Sequence, residues 1–398
     1  MTLGAEARPP LTDADDQLGQ LIEDLRLVPA DQVAGLIARH VATTAGEAVL
    51  YLSDYAQRVL VPLTGDDVPA REPLQIDATL GGRAFRDVTV LDVDTPEGHR
   101  LWLPLLDGTS RLGVMEVTVD RLDDHVQRRY RHLAGLIAEI LVAKNKYGDH
   151  YKISRRREEM TLAAEMQWSI LPPPTFTTTS VSICGMLEPC YEIAGDSYDY
   201  AYDGDVARMV LIDAMGHGFE ATVMSAVVVH AYRHSRRTSG SLVDSHHAMN
   251  QAFTSHFGDD EFATALSAEL NVRTGRLRLL NAGQPAPLLM RDGRAIGPLE
   301  CDPTLPIGLG GDVSEVAEVQ LEPGDAVLLH TDGVTEARSE EGDFFGAERL
   351  ADFFGRAAAA RLAPAETVRR LIHAVVDHQN GDLQDDATML LVQWHPAT

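Results

Sequence analysis

The chain has 398 residues, of which 44% are hydrophobic, enough for two or three domains with ordinary cores. Its 60 acidic residues outnumber its 34 basic ones, which gives a net charge of −26. Binding to nucleic acid or to an anionic membrane surface is therefore not expected, because both depend on clustered Lys and Arg.

The cysteines and the N-terminus bear on where the chain works. Cys184, Cys190 and Cys301 form no C-x-x-C pair, which is typical of reduced thiols. The first ten residues lack a basic segment followed by an apolar one, so no secretory signal is expected. No apolar run approaches the roughly 20 residues that a membrane helix needs. These features predict a cytoplasmic protein.

The first third of the chain mixes helical and strand patterns. Apolar residues at helical spacing predict helices over residues 16–27 and 30–43. Strands are predicted next, punctuated by Gly, Pro and Asp, over residues 48–52, 58–62, 101–105 and 112–119. A closing helix begins near Asp123. This layout resembles a GAF-type sensory domain, placed at residues 15–142 after a tail of residues 1–14.

Residues 143–174 are predicted to continue that helix as a linker. The segment is rich in charge, with Arg155 to Glu159 in its middle, and Pro172 ends it. Such a helix is either a solvated connector or a signalling helix that pairs in a dimer. We favour the second interpretation, because a long exposed helix rarely stands alone. A homodimer is therefore expected.

From residue 175 to 398 short strands alternate with polar turns and pairs of helices. The clearest strands are predicted at 181–186, 209–212, 264–271, 276–281, 287–290, 326–330 and 389–394. Helices are predicted at 219–236, 241–257, 347–360 and 364–378. Strand runs separated by helix pairs favour a layered α+β domain over a doubly wound parallel sheet.

Four acidic segments of this domain place an Asp where a strand ends and the backbone turns. They contain Asp196, Asp213, Asp332 and the pair Asp385-Asp386. Each segment alone is readily explained as an ordinary turn or an exposed charge. Together they form a set of oxygen ligands of the kind that Mg²⁺ and Mn²⁺ prefer. Two such ions can activate a water and hold a phosphoryl group.

The acidic segments belong to an ordered series of short motifs. The series runs Ala163-Ala164-Glu165-Met166-Gln167, Ala194-Gly195-Asp196 with Tyr198-Asp199, Asp213-Ala214-Met215-Gly216-His217-Gly218, Phe262-Ala263-Thr264-Ala265, Leu280-Asn281-Ala282-Gly283, Leu321-Glu322-Pro323-Gly324-Asp325, Thr331-Asp332-Gly333 and Asp385-Asp386-Ala387-Thr388. This series resembles the SpoIIE- and RsbU-like phosphatases of the metal-dependent PPM (protein phosphatase 2C) superfamily. The resemblance covers about residues 165–394.

The resemblance implies a four-layer α-β-β-α sandwich with two Mn²⁺ or Mg²⁺ ions at one end. It implies hydrolysis of phosphoserine or phosphothreonine on a protein by a metal-activated water. The ligands carried over by motif are Asp196, Asp213, Asp332 and Asp385, with the backbone carbonyl of Ala214. By the same analogy Asp385 binds the metal and Asp386 forms hydrogen bonds nearby.

Three positions bear on details of the resemblance. Gln284 stands where Asn-Ala-Gly is usually followed by His, and Ser197 stands where an aromatic is common. His217 is interpreted as a supporting residue of its turn, not as a ligand. We find no replacement for the substrate-phosphate Arg of the animal relatives.

The function expected from this resemblance is dephosphorylation of a STAS-type anti-sigma-factor antagonist. That reaction would free a sigma factor and activate stress transcription. A small-molecule or protein signal at the GAF-like domain would control it, with the linker helix ordering the segment that bears Asp196. The alternatives are a non-catalytic partner-switch module with a degenerate phosphatase fold, and another metal hydrolase such as a phosphodiesterase. The complete set of Asp residues argues against the first, and the lack of suitably spaced His ligands argues against the second.

Overall fold

The computed structural model describes residues 13–43, 46–96, 98–192, 195–238, 240–311, 313, 315–381 and 383–395. The chain forms two compact units. Unit 1 comprises residues 1–107 and 111–157, and unit 2 comprises residues 108–110 and 158–398.

Unit 1 is an antiparallel sheet with helices before, within and after it. The helices are α1 (Asp13–Leu27), α2 (Val33–Ala42), α3 (Leu80–Asp87), α4 (Asp124–Asn145) and α5 (His150–Ser154), with a 3₁₀ turn at Ala30–Gln32. The strands are β1 (Gly46–Ser53), β2 (Val59–Pro62), β3 (Leu74–Gln75), β4 (Leu91–Thr95), β5 (Gly98–Asp107) and β6 (Ser110–Val119). Across the described part of the unit their order is β3-β2-β1-β6-β5-β4.

Both faces of this sheet are covered by apolar side chains. Leu50 and Leu52 of β1 point to the face on which α1, α2 and α4 pack, and Val49 and Tyr51 point to the face covered by α3. This period-2 alternation is what a strand buried on two sides requires. The helix–sheet–helix layout matches the predicted layout, and the assignment to the GAF type stays a prediction.

The prediction of one continuous helix through residues 143–174 is wrong. Helix α4 ends at Asn145, α5 is a separate short helix, and α6 (Leu162–Ile170) belongs to unit 2. Gly148, a poor helix former, lies between α4 and α5. After it, the ring of Tyr151 lies in the core of unit 1, and its hydroxyl donates to the carbonyl of Ala30 over 2.9 Å. The buried apolar residues of α4 and Tyr151 therefore pack in unit 1, whereas those of α6 pack in unit 2. The division between the units falls at residues 157 and 158.

Unit 2 contains two sheets and five further helices within the residues described. After α6 come β7 (Thr175–Thr177), β8 (Val181–Glu188), β9 (Ser197–Asp203), β10 (Val206–Ala214), α7 (Phe219–Arg237), α8 (Leu242–Thr254), β11 (Ala263–Asn271), β12 (Arg276–Ala282), β13 (Leu288–Arg291), β14 (Arg294–Pro298), β15 (Ala317–Gln320), β16 (Ala326–His330), α9 (Asp332–Thr335), α10 (Gly346–Ala359), α11 (Pro364–His378) and β17 (Ala387–Trp394). One sheet has the order β15-β12-β11-β10-β9 and the other β14-β13-β16-β17-β8-β7.

The two sheets pack face to face between two layers of helices. On β10, Met209 and Leu211 point to the core between the sheets, whereas Val210 and Ile212 point to α7 and α8. Strand β17 alternates in the same way between the inter-sheet core and the core beneath α10 and α11. Unit 2 is thus the four-layer α-β-β-α sandwich that the sequence predicted.

No helix in the described part of the chain combines the length and the apolar composition needed to cross a bilayer.

Candidate metal centre

The four acidic segments lie at strand ends that antiparallel pairing brings together. Asp213 and Ala214 end β10, and the pairing of Ile212 with Ser197 places the start of β9 beside them. In the other sheet, His330 at the end of β16 pairs with Met389 of β17. Asp332 follows β16 and Asp385 precedes β17, so both lie at the end of the sheet where His330 pairs with Met389.

Hydrogen bonds join these segments across the two sheets. The hydroxyl of Thr331 donates to Oδ2 of Asp196 over 2.8 Å. The backbone N–H of Gly195 donates to Oδ2 of Asp386 over 2.7 Å, and the N–H of Asp196 donates to the same atom over 3.3 Å. The segments from the β9, β16 and β17 ends therefore form one connected site.

Two glycines allow the backbones to approach closely here. A Cβ atom on Gly333 would lie 1.9 Å from the carbonyl oxygen of Asp386, and one on Gly195 would lie 2.5 Å from that of Ala214. Neither position can hold a side chain without displacing backbone. The Gly residues beside Asp196 and Asp332 thus allow close packing of the segments.

The carboxylates of the site repel one another. Burial, followed by the negative charge of Asp332, raises the pKa of Asp213 to about 7. Asp385 and Asp386 act in the same direction. Burial likewise raises the pKa of Asp196 well above its usual range, with Asp213 the next cause. Removing such repulsion is what a bound cation does for a cluster of carboxylates.

This donor set fits hydrated Mg²⁺ or Mn²⁺ and does not fit a tight protein cage. Over the described ranges, no three acidic, histidine or cysteine side chains converge closely enough to hold one ion between them. Mg²⁺ keeps several waters and takes only one or two carboxylates directly. The predicted ligands of such ions are Asp196, Asp213, Asp332 and Asp385 with the backbone carbonyl of Ala214, and this set stays a prediction.

The structure separates the roles of Asp385 and Asp386. The side chain of Asp386 is buried and accepts the bonds from Gly195 and Asp196 described above. Asp385 is exposed, and its Oδ1 accepts a bond of 2.9 Å from the N–H of Asp386. This difference favours Asp385 as the ligand. Asp196 is 1% exposed, so it is the least accessible of the predicted carboxylate ligands.

His217 lies exposed in the loop between β10 and α7. Gly216 and Gly218 on either side of it have φ angles of 88° and 78°. The exposed apolar side chains of Met215 and Phe219 bracket the same loop. The loop thus presents His217 to solvent next to the site, and the supporting role predicted for it stays a prediction.

Two contacts that shape the site were not predicted from the sequence. The side-chain amide of Gln167 in α6 donates a hydrogen bond to the backbone carbonyl of Asp196. Asp199, buried on β9, is bound by Arg233 of α7 over 2.7 Å and by Arg236. Gln167 and Asp199 belong to the motifs quoted above, but the motifs did not show what these side chains touch.

The comparisons with known proteins concern mainly unit 2. Residues 203–395 match the family model described as Stage II sporulation protein E (SpoIIE). The phosphoserine phosphatase RsbU of Bacillus subtilis is 22% identical over 239 residues, which span 60% of this chain and 70% of RsbU. Protein IcfG of Synechocystis is 22% identical over 272 residues, which span 59% of this chain and 41% of IcfG. Among solved structures, the SiaA-PP2C domain of Pseudomonas aeruginosa is 24% identical, covers 58% of this chain and 94% of that chain, and has a TM-score of 0.49.

The family model covers most of unit 2, and three of the four acidic segments lie within its range. The similarity to the SpoIIE family thus includes the strand ends that carry Asp213, Asp332 and Asp385.

Proposed function

We propose that this chain is a Mn²⁺- or Mg²⁺-dependent protein phosphatase that dephosphorylates a serine of a STAS-type anti-sigma-factor antagonist in the cytoplasm. The proposal includes control by a signal at unit 1 and a homodimeric state. Its products would be inorganic phosphate and the unphosphorylated antagonist, whose release changes sigma-factor activity.

One observation carries the catalytic part of the proposal. Asp213 lies at the end of a strand in one sheet, Asp332 and Asp385 lie at strand ends in the other, and their negative charges act on one another. When bound, two divalent ions at such a site supply an activated water and stabilise the charge of the transferring phosphoryl group. Asp196, Asp213, Asp332 and Asp385 would hold the ions, and Asp386 fixes the backbone of Gly195 and Asp196 by accepting a hydrogen bond from each N–H.

The substrate class is inferred from relatives and motifs. RsbU is named a phosphoserine phosphatase, and it is similar to this chain over 239 residues. The motif series that resembles the SpoIIE and RsbU type supports a STAS-type antagonist as substrate. The surplus of acidic residues suits a partner with basic residues near its phosphoserine, because opposite potentials speed association.

Regulation through α6 is supported by its contacts within unit 2. The amide of Gln167 binds the carbonyl of Asp196, and the carbonyl of Ile170 at the end of the same helix accepts from Arg233 over 2.5 Å. A change that shifts α6 would therefore disturb the backbone of a predicted ligand. We propose that the signal from unit 1 acts on the site through this helix.

The test uses the full chain and a STAS-domain protein phosphorylated on one serine. With Mn²⁺ present, we expect the STAS-domain protein to lose its phosphate. Phosphate-affinity electrophoresis measures the fraction that remains phosphorylated. The same protein carrying phosphothreonine at that position serves as the matched control for serine preference. The substrate assignment fails if the STAS protein keeps its phosphate while another phosphoserine protein is dephosphorylated.

A further inference from the structure

Gln284 is a buried polar residue at the end of β12 to which the proposed function assigns no role. Its side chain is 5% exposed. Asn281 holds the backbone of Gln284 on both sides. The N–H of Gln284 donates to Oδ1 of Asn281 over 2.8 Å, and Nδ2 of Asn281 donates to the carbonyl of Gln284 over 2.9 Å. These two bonds fix the backbone of the turn at Gln284, and they thereby fix the direction of its side chain.

The Gln284 amide begins a short chain of hydrogen bonds that ends at the metal centre. Its Nε2 donates to the hydroxyl of Thr264 over 2.9 Å, and that hydroxyl donates to the carbonyl oxygen of Asp213 over 3.3 Å. Thr264 lies directly opposite Asp213 in the pairing of β10 with β11. A Cβ on Gly283 would lie 3.0 Å from Cγ2 of Thr264, so the methyl group packs against the turn and restrains the hydroxyl.

The chemistry of the two side chains fixes the direction of these bonds. An amide NH₂ can only donate, so the Thr264 oxygen must accept from Gln284. The single hydroxyl proton of Thr264 then remains for the carbonyl of Asp213. A histidine at position 284 would have a ring nitrogen that donates or accepts according to its tautomer. Glutamine therefore maintains one arrangement at every physiological pH.

We propose that Gln284 is a positioning residue that sets the metal affinity of the site through Thr264. The carbonyl of Asp213 belongs to the peptide that joins Asp213 to Ala214, and these residues supply a predicted carboxylate ligand and a predicted carbonyl ligand. Fixing that peptide fixes both donors at once. This inference rests on the proposed function, because it takes Asp213 and Ala214 as ligands.

The test is a double-mutant cycle on metal binding, with two nearly isosteric changes. Gln284→Met removes the amide, and Thr264→Val removes the hydroxyl. Binding of Mn²⁺ to the full chain is measured by the electron paramagnetic resonance of free Mn²⁺, without substrate. Outer-shell contacts of this kind affect metal affinity by about tenfold or more, and we expect each single variant to bind about tenfold more weakly. The double variant should bind no more weakly than either single one, since both changes break the same chain.

Two further variants separate positioning from folding. Gln284→His retains a ring N–H donor and should recover most of the affinity that Gln284→Met loses. Thr264→Ser retains the hydroxyl and should bind Mn²⁺ almost as the unchanged chain does. Thermal unfolding without metal is followed for every variant.

Three results would overturn the inference. The first is a pair of single variants that bind Mn²⁺ as tightly as the unchanged chain, even if they unfold at a lower temperature. The second is a double variant whose loss is the product of the two single losses. The third is an unchanged chain that binds no Mn²⁺, a result that overturns the proposed function as well and is thereby distinguished from the other two.

Discussion

The hydroxyl of Thr331 donates a hydrogen bond of 2.8 Å to the carboxylate of Asp196, which links the two sheets of unit 2 at the candidate metal centre. The same oxygen accepts a bond of 3.0 Å from the N–H of Thr388. Thr331 is fully buried, so both bonds are shielded from water. One side chain thereby aligns the residues that follow β16, precede β9 and begin β17.

Replacing Thr331 by Val should therefore destabilise unit 2. The substitution keeps the shape but leaves the N–H of Thr388 without this acceptor and removes a donor from a buried carboxylate. The expected cost is about 1–3 kcal/mol of unfolding free energy, measured by urea denaturation. Thr331→Ser keeps the hydroxyl and is the matched control. Equal stability of the Val and Ser variants would show that the bond contributes nothing.

Gly333→Ala should disturb the site through a steric clash. The new Cβ would lie 1.9 Å from the carbonyl oxygen of Asp386, so the backbone of one segment must move. We expect a loss of about 1–3 kcal/mol of stability, as for other overpacking substitutions. The control is Gly355→Ala in α10, where the nearest atom would lie 3.9 Å away and a gain of up to about 1 kcal/mol is expected from helix propensity. Differential scanning calorimetry of both variants makes the comparison, and a neutral Gly333→Ala would contradict it.

Asp213→Asn and Asp332→Asn should raise the stability of the metal-free protein. Each change removes one negative charge from a group of carboxylates that repel one another. A gain of about 1 kcal/mol, or roughly 2–4 °C in melting temperature, is expected for a domain of this size. Added Mn²⁺ should stabilise the unchanged chain more than either variant, because a ligand stabilises the folded state more when it binds more tightly.

The control for this prediction is Asp302→Asn, which changes an exposed carboxylate outside the four acidic segments. It should leave both the metal-free melting temperature and its response to Mn²⁺ unchanged. The account of charge repulsion fails if the Asp213 and Asp332 variants melt at a lower temperature than the unchanged chain in a chelator.

Asp199→Asn should be among the most destabilising substitutions in unit 2. The Asp199 carboxylate is 1% exposed and accepts from Arg233 and Arg236, which joins α7 to β9. Losing one member of a buried ion pair costs about 3–5 kcal/mol, because the remaining charges are left without a partner. Glu318→Gln breaks an exposed pair with Arg276 and should cost less than about 1 kcal/mol. Similar urea midpoints for the two variants would refute the distinction.

The pattern of strands and helices predicts a layered α+β domain for unit 2, and the resemblance implies its four layers. On β10 each buried apolar side chain belongs to one of two cores, and the run Met209 to Ile212 could be recognised without knowing what covers each face. The Asp residues were found because each stands at a strand end beside a residue that permits a sharp turn. The bond between Thr331 and Asp196 could not be predicted, since it depends on how two sheets pack.

The linker predicted at residues 143–174 was not predicted correctly. Its apolar residues recur at helical spacing, but that spacing does not show which surface they contact. Tyr151 lies in the core of unit 1, and Arg155 donates to the carbonyl of Ser53 over 2.7 Å. These long-range contacts hold the segment after the break against unit 1, and Gly148, a poor helix former, lies in the break itself.

The central claim is that Asp213 and Asp332, from different sheets, form one metal-dependent catalytic site. The most direct measurement is the initial rate of phosphate release from a phosphoserine protein as Mn²⁺ is titrated, for the unchanged chain and for Asp213→Asn and Asp332→Asn. The account predicts a rate that requires Mn²⁺ and falls by about 100-fold or more in both variants, the scale on which single catalytic groups act. A chain that releases no phosphate with any divalent ion, or variants that keep the full rate, would contradict it.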